Sequence, residues 1–141
     1  MGIREHPAIG TVLKCTYGDG FMPPEMVKPR PVVVISPKIT GRSGLCTVVP
    51  LSTTAPDPVM RYHCQIDLPE TLPRWMTKQG VWVKGDMLSV VSFRRLDLIS
   101  TGKDRQGKRQ YVFDPISEDA LRAVRRAVLA SMGLSQLTKH V

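Results

Sequence analysis

The sequence lacks any long run of apolar residues. Its longest apolar runs, such as residues 32–35, are far shorter than the roughly 18 residues that indicate a membrane span. The first residues also lack the apolar core of a secretory signal. We therefore expect a cytoplasmic protein without a membrane segment.

The sequence also lacks the spacing of a disulfide framework or a metal site. Its three cysteines, Cys15, Cys46 and Cys64, show no C-x-x-C spacing and lie in apolar stretches. This pattern is typical of buried, reduced thiols. The three histidines are scattered and no acidic cluster accompanies them. We expect chemistry without a metal and without any other cofactor.

Familiar catalytic motifs and internal repeats are absent as well. There is no P-loop, no G-x-G-x-x-G and no G-x-S-x-G. The length of 141 residues, with 42% hydrophobic and 23% charged residues, is ordinary for a folded domain and excludes a disordered chain. The sequence therefore predicts a single domain that spans residues 1–141.

Proline and glycine, in contrast, are frequent. Twelve prolines and eleven glycines imply many turns and favour short strands over a helical bundle. The run PVVVIS at 31–36 is β-branched throughout, and we expect it to be buried on both faces beside LCTVVPL at 45–51. Further strands are predicted from alternating or apolar patterns at 11–17, 62–68, 81–84 and 87–93.

One helix is predicted near the C-terminus. Ser117 is a suitable N-cap, acidic residues follow it in the first turn, and Gly133 is available to end the helix. The residues at helical spacing form an apolar stripe that we expect to pack on the sheet; they are Leu121, Val124, Val128 and Met132. The predicted class is mostly β with a C-terminal helix.

Three segments are predicted to connect these elements. Residues 18–29 form a long connection rich in proline and glycine, and such loops in compact domains are often functional. Residues 69–80 form an irregular excursion. The charged segment GKDRQGKR at 102–109 is predicted to be an exposed basic hairpin.

The positive charge is concentrated in the second half of the chain. Residues 71–141 hold thirteen Lys and Arg against six Asp and Glu, a net charge of +7 out of +8 for the whole chain. This asymmetry favours a polyanion or an acidic protein as the partner.

Several polar side chains are predicted to lie at strand ends. Arg30 precedes the buried run, where it can clamp a phosphate; the alternatives are a solvated arginine or an ion pair with Glu25. Ser52, Thr53 and Thr54 leave the neighbouring strand, where their hydroxyls can bind phosphate oxygens or simply form a turn.

A base and an acid flank Gly85 at another strand break. Asp86 there can accept a proton and Lys84 can stabilise an anion. A turn aspartate without a chemical role is the alternative.

Taken in order, these motifs resemble a known family. Glu25, the strand R-P-V-V-V-I-S-P from Arg30, V-V-P-L-S-T from Val48 and K-G-D from Lys84 resemble the PemK/MazF toxins of bacterial type II toxin–antitoxin pairs, which are growth inhibitors and mRNA interferases. The resemblance covers about residues 9–99 and the closing helix. Its most specific part is the combination of the first two strand motifs.

The resemblance implies an SH3-like small barrel that forms a homodimer, cleaves single-stranded RNA without a metal and is neutralised by a cognate antitoxin. The catalytic arginine of the family corresponds to Arg30, its hydroxyl residue to Ser52 and a further RNA-holding position to Thr53. Its acidic base corresponds to Asp86. Lys84 stands where the family has an arginine, and it keeps the charge but loses the planar fork.

Two further departures from the family pattern concern the long loop. Pro24 stands where some members have a histidine, and the common glycine between Glu25 and Arg30 is missing. The chain is also longer than typical members, with the excess at 69–80, in the 102–109 hairpin and after Gly133.

The chemistry of RNA cleavage is consistent with these residues. Because the ribose 2′-OH is the nucleophile, the protein needs only a base, a proton donor and charge stabilisation at the phosphate. We assign Arg30 to phosphate stabilisation, Ser52 to a hydrogen bond with the phosphate, and Asp86 to the base role or to orienting Arg30. The residues expected to bind RNA are Glu25, Thr53, Thr54, Lys84, Lys108 and Arg109.

The alternative comes from another functional class. A noncatalytic SH3-like barrel with the same basic surface would bind an acidic protein, as gyrase-poisoning relatives with this fold do, or bind nucleic acid as a regulator.

Overall fold

The computed structural model describes residues 2–141 and contains nine strands and one α-helix in that range. The strands are β1 (Val12–Cys15), β2 (Arg30–Val34), β3 (Leu45–Ser52), β4 (His63–Ile66), β5 (Val81–Lys84), β6 (Ser89–Ser92), β7 (Leu96–Asp97), β8 (Ser100–Lys103) and β9 (Arg109–Tyr111). Helix α1 (Glu118–Ser131) follows them, and short 3-10 turns cover Gly85–Met87, Phe93–Arg95 and Ser135–His140. The predicted class, mostly β with a C-terminal helix, is confirmed.

The seven strands β1 to β7 form one sheet in which all the pairs are antiparallel. Its order is β4-β5-β3-β2-β1-β7, and β6 also pairs with β3. β3 is long enough to pair with three strands: β6 along its first half, β2 along its middle and β5 at its end. β8 and β9 form a separate two-stranded sheet.

The central strand β2 is buried on both faces, as its β-branched run predicts. Val32, Val33 and Val34 are each fully buried. Val33 packs into a core cluster that includes helix α1, whereas Val32 and Val34 pack into a second cluster on the opposite face. The prediction of a double-sided central strand beside residues 45–51 is confirmed.

Helix α1 begins where the sequence predicts. The Ser117 hydroxyl oxygen accepts a hydrogen bond from the Ala120 N–H at 3.1 Å, and Gly133 has a φ of +74°, which favours glycine after a helix end. The buried stripe, however, differs from the prediction.

The buried face of α1 is rotated toward its alanines. Val124 and Val128 are buried as expected, and Ala120 and Ala127 are buried beside them. Met132 was predicted to be in the stripe, but it lies past the last helical residue and is 60% exposed. Small residues therefore let the helix approach the sheet closely.

The six strands predicted outside the hairpin are all present, but several predicted ends are too long, and the short strand β7 is additional. The segments predicted at 11–17, 62–68 and 87–93 shorten to four-residue strands, whereas 81–84 matches β5.

The 102–109 hairpin is confirmed, because β8 pairs with β9. The carboxylate of Asp104 shapes its turn by accepting hydrogen bonds from the backbone of Gln106 and Lys108.

The three thiols lie inside the structure. Cys15 and Cys46 are buried and Cys64 is half-buried, and all three are free. Burial raises the pKa of Cys64 to about 11, which keeps this thiol protonated at neutral pH.

Within residues 2–141, no helix is long and apolar enough to cross a membrane.

Gly85 fixes the distance between helix α1 and the strand β5 that precedes this glycine. A Cβ atom placed on Gly85 would lie 2.8 Å from the Ala127 carbonyl carbon and 2.8 Å from the Tyr62 carbonyl oxygen. Both contacts are with backbone atoms, so neither can be relieved by moving a side chain. The glycine of the K-G-D motif is therefore required by packing.

We expect Gly85→Ala to lower the free energy of unfolding by about 1–3 kcal/mol, the usual cost of overpacking. Asp86→Ala in the same turn is the matched control. Because Asp86 is exposed, its replacement should change stability by no more than about 0.5 kcal/mol. Urea unfolding of both variants checks this, and equal stability of Gly85→Ala and wild type would contradict the packing argument.

Candidate functional site

Arg30 and Ser52 lie beside each other at the same edge of the sheet. Arg30 is the first residue of β2 and is paired with Cys15 of β1. Val32 pairs with Pro50 of β3, so extending that register by two residues places Arg30 opposite Ser52. Side chains that alternate along a strand share a face at this spacing, and the two predicted residues are therefore brought together.

The side chain of Arg30 has no partner within residues 2–141. It is half-buried, its Nε atom is buried without a hydrogen-bond acceptor, and it makes no ion pair. The carboxylate of Glu25 instead accepts a long hydrogen bond from the Met22 N–H at 3.4 Å. The alternative of an ion pair between Arg30 and Glu25 is therefore wrong for this structure.

The groups under Arg30 do not neutralise its charge. Burial raises the pKa of Tyr17 above its ordinary value, and the positive charge of Arg30 opposes that shift only in part. Burial also raises the pKa of Cys15 to about 11. Both groups are neutral at pH 7. A half-buried cation whose Nε has no acceptor is stabilised by a ligand that is an anion.

Ser52 is fixed by a turn. The Ser52 hydroxyl oxygen accepts a hydrogen bond from the Thr54 N–H, with an N···O distance of 3.1 Å. The same hydroxyl donates to the Thr54 carbonyl oxygen, with a longer O···O distance of 3.4 Å. The turn that the sequence offered as an alternative is present. Because the second distance is long, the hydroxyl proton is only weakly used and is available to another acceptor.

Three cavities are neighbours that share lining residues, and we call them together the basic groove. The first, of about 230 Å³, is lined by Arg30, Ser52 and Thr53 among others. The second, of about 380 Å³, shares Arg30 with the first, and the third, of about 750 Å³, shares Ser100 with the second.

The basic groove carries charge of one sign. The basic residues that line it are Lys14, Arg30, Arg74, Lys103 and Arg109, and among its lining residues there is no Asp or Glu. Its walls near Arg30 are apolar, with Pro29, Pro31 and Met76. Such a groove attracts an extended polyanion and lowers the dielectric around it.

Asp86 and Glu25 lie elsewhere. They line a separate cavity of about 400 Å³ together with Phe21 and Met87. Neither of the two cavities lined by Arg30 is lined by Asp86, although all of these residues belong to the described part of the chain. The structure therefore does not bring Asp86 into contact with Arg30.

The other residues that the sequence predicted to bind RNA are divided between these surfaces. Arg109 lines the basic groove, whereas Lys108 and Thr54 are exposed outside its three cavities. Lys84 is half-buried at the end of β5, where it pairs with His63 of β4. No cluster of three or more His, Cys, Asp or Glu that would hold a metal ion exists between residues 2 and 141.

Sequence reasoning missed four groove residues: Lys14, Arg74, Trp75 and Lys103. Lys14 sits on the polar side of the predicted first strand, and Arg74 and Trp75 sit in the irregular excursion. Their order along the chain gave no indication that they meet. The positive charge of residues 71–141 was an indication for Arg74 and Lys103 alone, and it did not say where in the fold they lie.

Comparison with protein families identifies one match over most of the chain. Residues 9–132 match the model described as "PemK-like, MazF-like toxin of type II toxin-antitoxin system". An uncharacterized protein of Haemophilus influenzae is 32% identical over 150 residues, which cover 97% of this chain and 98% of that one. The uncharacterized protein YifN of Escherichia coli K12 is 29% identical over 155 residues, covering 97% and 99%.

Solved structures share the fold at lower identity. MazF from Deinococcus radiodurans has a TM-score of 0.60 and 20% identity, with 92% of this chain and 98% of that chain covered. An endoribonuclease in complex with its cognate antitoxin from a mycobacterial species has a TM-score of 0.56 and 17% identity, with 91% and 96% covered.

The unpartnered state of Arg30 generates a prediction about stability. We expect Arg30→Met, which keeps an unbranched apolar stem, to unfold with a free energy equal to or above that of wild type, because no native contact is lost. Sulfate should stabilise wild type more than it stabilises this variant, since only wild type has the anion site. Thermal unfolding with and without sulfate measures both effects. A loss of more than about 2 kcal/mol in Arg30→Met would show that the arginine has a structural role.

Proposed function

The chain belongs to the PemK-like, MazF-like family of toxins of type II toxin–antitoxin systems, and from this membership we propose that it is an endoribonuclease that cleaves single-stranded RNA without a metal. The observation that supports this proposal most strongly is the unpartnered guanidinium of Arg30 within a groove that has no acidic lining. A phosphodiester is the ligand that this charge and shape fit.

In the proposed reaction, the RNA supplies its own nucleophile. The ribose 2′ oxygen loses its proton to a base and forms a bond to phosphorus, and the bond from phosphorus to the 5′ oxygen breaks. The leaving 5′ oxygen takes a proton from water. The products are a 2′,3′-cyclic phosphate and a 5′-OH.

Arg30 and Ser52 have separate roles at the scissile phosphate. The guanidinium of Arg30 donates two hydrogen bonds to the phosphate oxygens and stabilises the charge that develops on them. The Ser52 hydroxyl turns its weakly used proton to the same phosphate, while its accepted bond from Thr54 keeps the oxygen in place. Thr53, at the mouth of the first cavity, contacts the adjoining sugar.

For the base, the correspondence with the family and the position in the structure disagree. Asp86 is the proposed base by its correspondence with the family pattern, yet it lies in a different cavity from Arg30. The other role considered for it, orienting Arg30, requires an ion pair that the described chain lacks. Asp86→Asn therefore separates two cases: a large loss of rate supports the base role, and an unchanged rate assigns the base to another group.

The proposed assembly is that of a toxin with its antitoxin. The chain would act as a single domain, residues 1–141, in a homodimer in the cytoplasm, where its RNA substrate is found. A cognate antitoxin would neutralise it. Two of the solved structures with this fold are a MazE-MazF complex and an endoribonuclease with its cognate antitoxin, which supports a protein partner of this kind.

We expect Arg30→Ala and Ser52→Ala each to lower the rate of RNA cleavage by at least about tenfold, the low end of losses for transition-state groups. Lys139→Ala, on the exposed C-terminal turn outside the basic groove, is the control and should keep full activity. Cleavage of a labelled single strand under single-turnover conditions measures the rates. A folded Arg30→Ala protein with undiminished cleavage would exclude the assigned site.

Two changes of condition test the route of the same reaction. Cleavage should persist in a chelator, and it should stop when the ribose on the 5′ side of the cut is replaced by deoxyribose. Cleavage of the deoxyribose substrate would exclude attack by the 2′-OH. Intact RNA together with growth arrest would support the noncatalytic barrel that binds an acidic protein instead.

The groove also predicts competition between RNA and an antitoxin. Because both are flexible polyanions, an acidic antitoxin segment should occupy the basic groove and exclude RNA. Charge reversal at Lys108 or Arg109 should weaken RNA binding and reduce its salt dependence more than it lowers stability, since both residues are exposed. Titration of uncleavable labelled RNA with the antitoxin segment measures the competition, and a ternary complex with both bound at full affinity would exclude a shared groove.

A further inference from the structure

Trp75 is a large aromatic residue held almost entirely in solvent. Its exposed fraction is 79%, the highest among the exposed large hydrophobic residues of the described chain. A single exposed apolar residue is common on protein surfaces and indicates no ligand by itself. What distinguishes Trp75 is its place in the basic groove.

The segment that carries Trp75 is anchored in the core by residues that precede and follow Trp75 in the sequence. Leu72 is 3% exposed and Met76 is 8% exposed, and both belong to the core cluster under helix α1. The N–H of Met76 donates to the Pro73 carbonyl oxygen at 3.0 Å, which closes a turn around Trp75. Burying the residues on either side leaves the indole pointing outward.

The ends of this segment are also tied to the rest of the fold. The Lys78 ammonium group donates to the Leu72 carbonyl oxygen at 3.1 Å, and the Thr71 hydroxyl donates to the Asp114 carboxylate at 2.7 Å. The ring is therefore displayed on a rigid support, which reduces the entropy lost when a ligand stacks on it.

Trp75 is the one residue that lines all three cavities of the basic groove among the residues described. On one side of it lie Arg30 and Ser52, and on the other lie Lys103 and Arg109 of the hairpin. Its sequence neighbour Arg74 lines the hairpin side. The indole thus stands between the proposed scissile phosphate and a second group of cations.

We propose that Trp75 is a stacking platform for a nucleobase next to the cleaved bond, and that the cations on its far side hold the phosphates that follow. This inference rests on the proposed function, since it takes single-stranded RNA as the occupant of the groove. Bases of a single strand are free to splay out and stack on aromatic rings while basic side chains follow the backbone. The alternation of cation, indole and cations along the groove matches that arrangement.

Stacking also explains why an indole rather than another cation occupies the middle of the groove. A cation there would attract any polyanion, whereas a flat ring discriminates strands that carry bases from strands that do not. An apolar side chain of a protein partner would also pack on the ring, but it would not need the cations on the far side.

The test compares Trp75→Ala, Trp75→Phe and the control Phe113→Ala. Phe113 is 64% exposed but lines none of the three groove cavities. It is therefore an exposed aromatic residue, like Trp75, that lies outside the basic groove. Each protein is titrated with two labelled strands of equal length. One is a mixed-sequence RNA with 2′-O-methyl riboses, which lacks the nucleophile, and the other is an abasic phosphodiester strand.

We expect Trp75→Ala to weaken binding of the base-bearing strand by about 5-fold to 100-fold, the range measured for one stacked base. Trp75→Phe should weaken it less, and Phe113→Ala should leave it unchanged. The affinity for the abasic strand should be the same in all proteins, and the salt dependence should not change, because no phosphate contact is lost. Tryptophan emission should fall on binding in wild type and fall less in Trp75→Phe.

Three results would overturn the inference. Equal affinity of Trp75→Ala and wild type for the base-bearing strand would exclude stacking of a base on Trp75. Equal losses on both strands would show that the indole contributes something other than stacking. Loss of antitoxin binding with unchanged RNA binding would assign the ring to a protein partner.

The inference and the proposed function fail separately. If wild type cleaves RNA and Trp75 has no effect on RNA binding, the function stands and the platform is excluded. If wild type binds RNA through Trp75 but cleaves none, the platform stands and the endoribonuclease proposal is wrong. Thermal unfolding of each variant verifies folding, and the exposure of Trp75 makes a stable Trp75→Ala protein the expected result.

Discussion

The half-buried, unpartnered charge of Arg30 is the feature on which the proposed site depends. The guanidinium stands at the start of β2 over two neutral groups, Cys15 and Tyr17, whose pKa values are raised by burial. No protein group supplies an acceptor for its Nε, and a polar atom buried without an acceptor is unfavourable. Selection for a ligand accounts for such a position better than selection for stability, because a phosphate supplies both the opposite charge and the missing acceptors.

The sheet gives this charge its position. The end of β3 at Ser52 is held by pairing with Trp82 of β5, and the register of β3 with β2 places Ser52 opposite Arg30. Helix α1 closes the opposite face through small residues, and Gly85 allows that close approach. The hairpin of β8 and β9 adds Lys103 and Arg109, and the 69–80 segment adds Arg74 and the indole of Trp75, along the same groove. A rigid frame with functional groups at its strand ends is what precise binding of a phosphate requires.

Local patterns predicted the frame well and the groove only in part. The β-branched run at 31–36, the N-cap Ser117 and the basic hairpin depend on neighbouring residues, so the sequence alone located them correctly. The same reasoning placed Arg30 and Ser52 at strand ends. It grouped Asp86 with them because the family pattern does, whereas the structure puts Asp86 in another cavity. It also passed over Trp75, since the exposure of a ring depends on which neighbours are buried, and that is decided by tertiary packing.

The most direct test of the central claim is the cleavage of one single-stranded RNA by wild type and by Arg30→Lys, with binding of the uncleavable strand measured in parallel. Lysine keeps the charge but loses the planar fork that donates two parallel hydrogen bonds to a phosphate. The account predicts that RNA binding is nearly retained while the single-turnover rate falls by at least about tenfold. Equal rates for the two proteins, or an absence of cleavage by wild type on every single-stranded RNA tested, would contradict it.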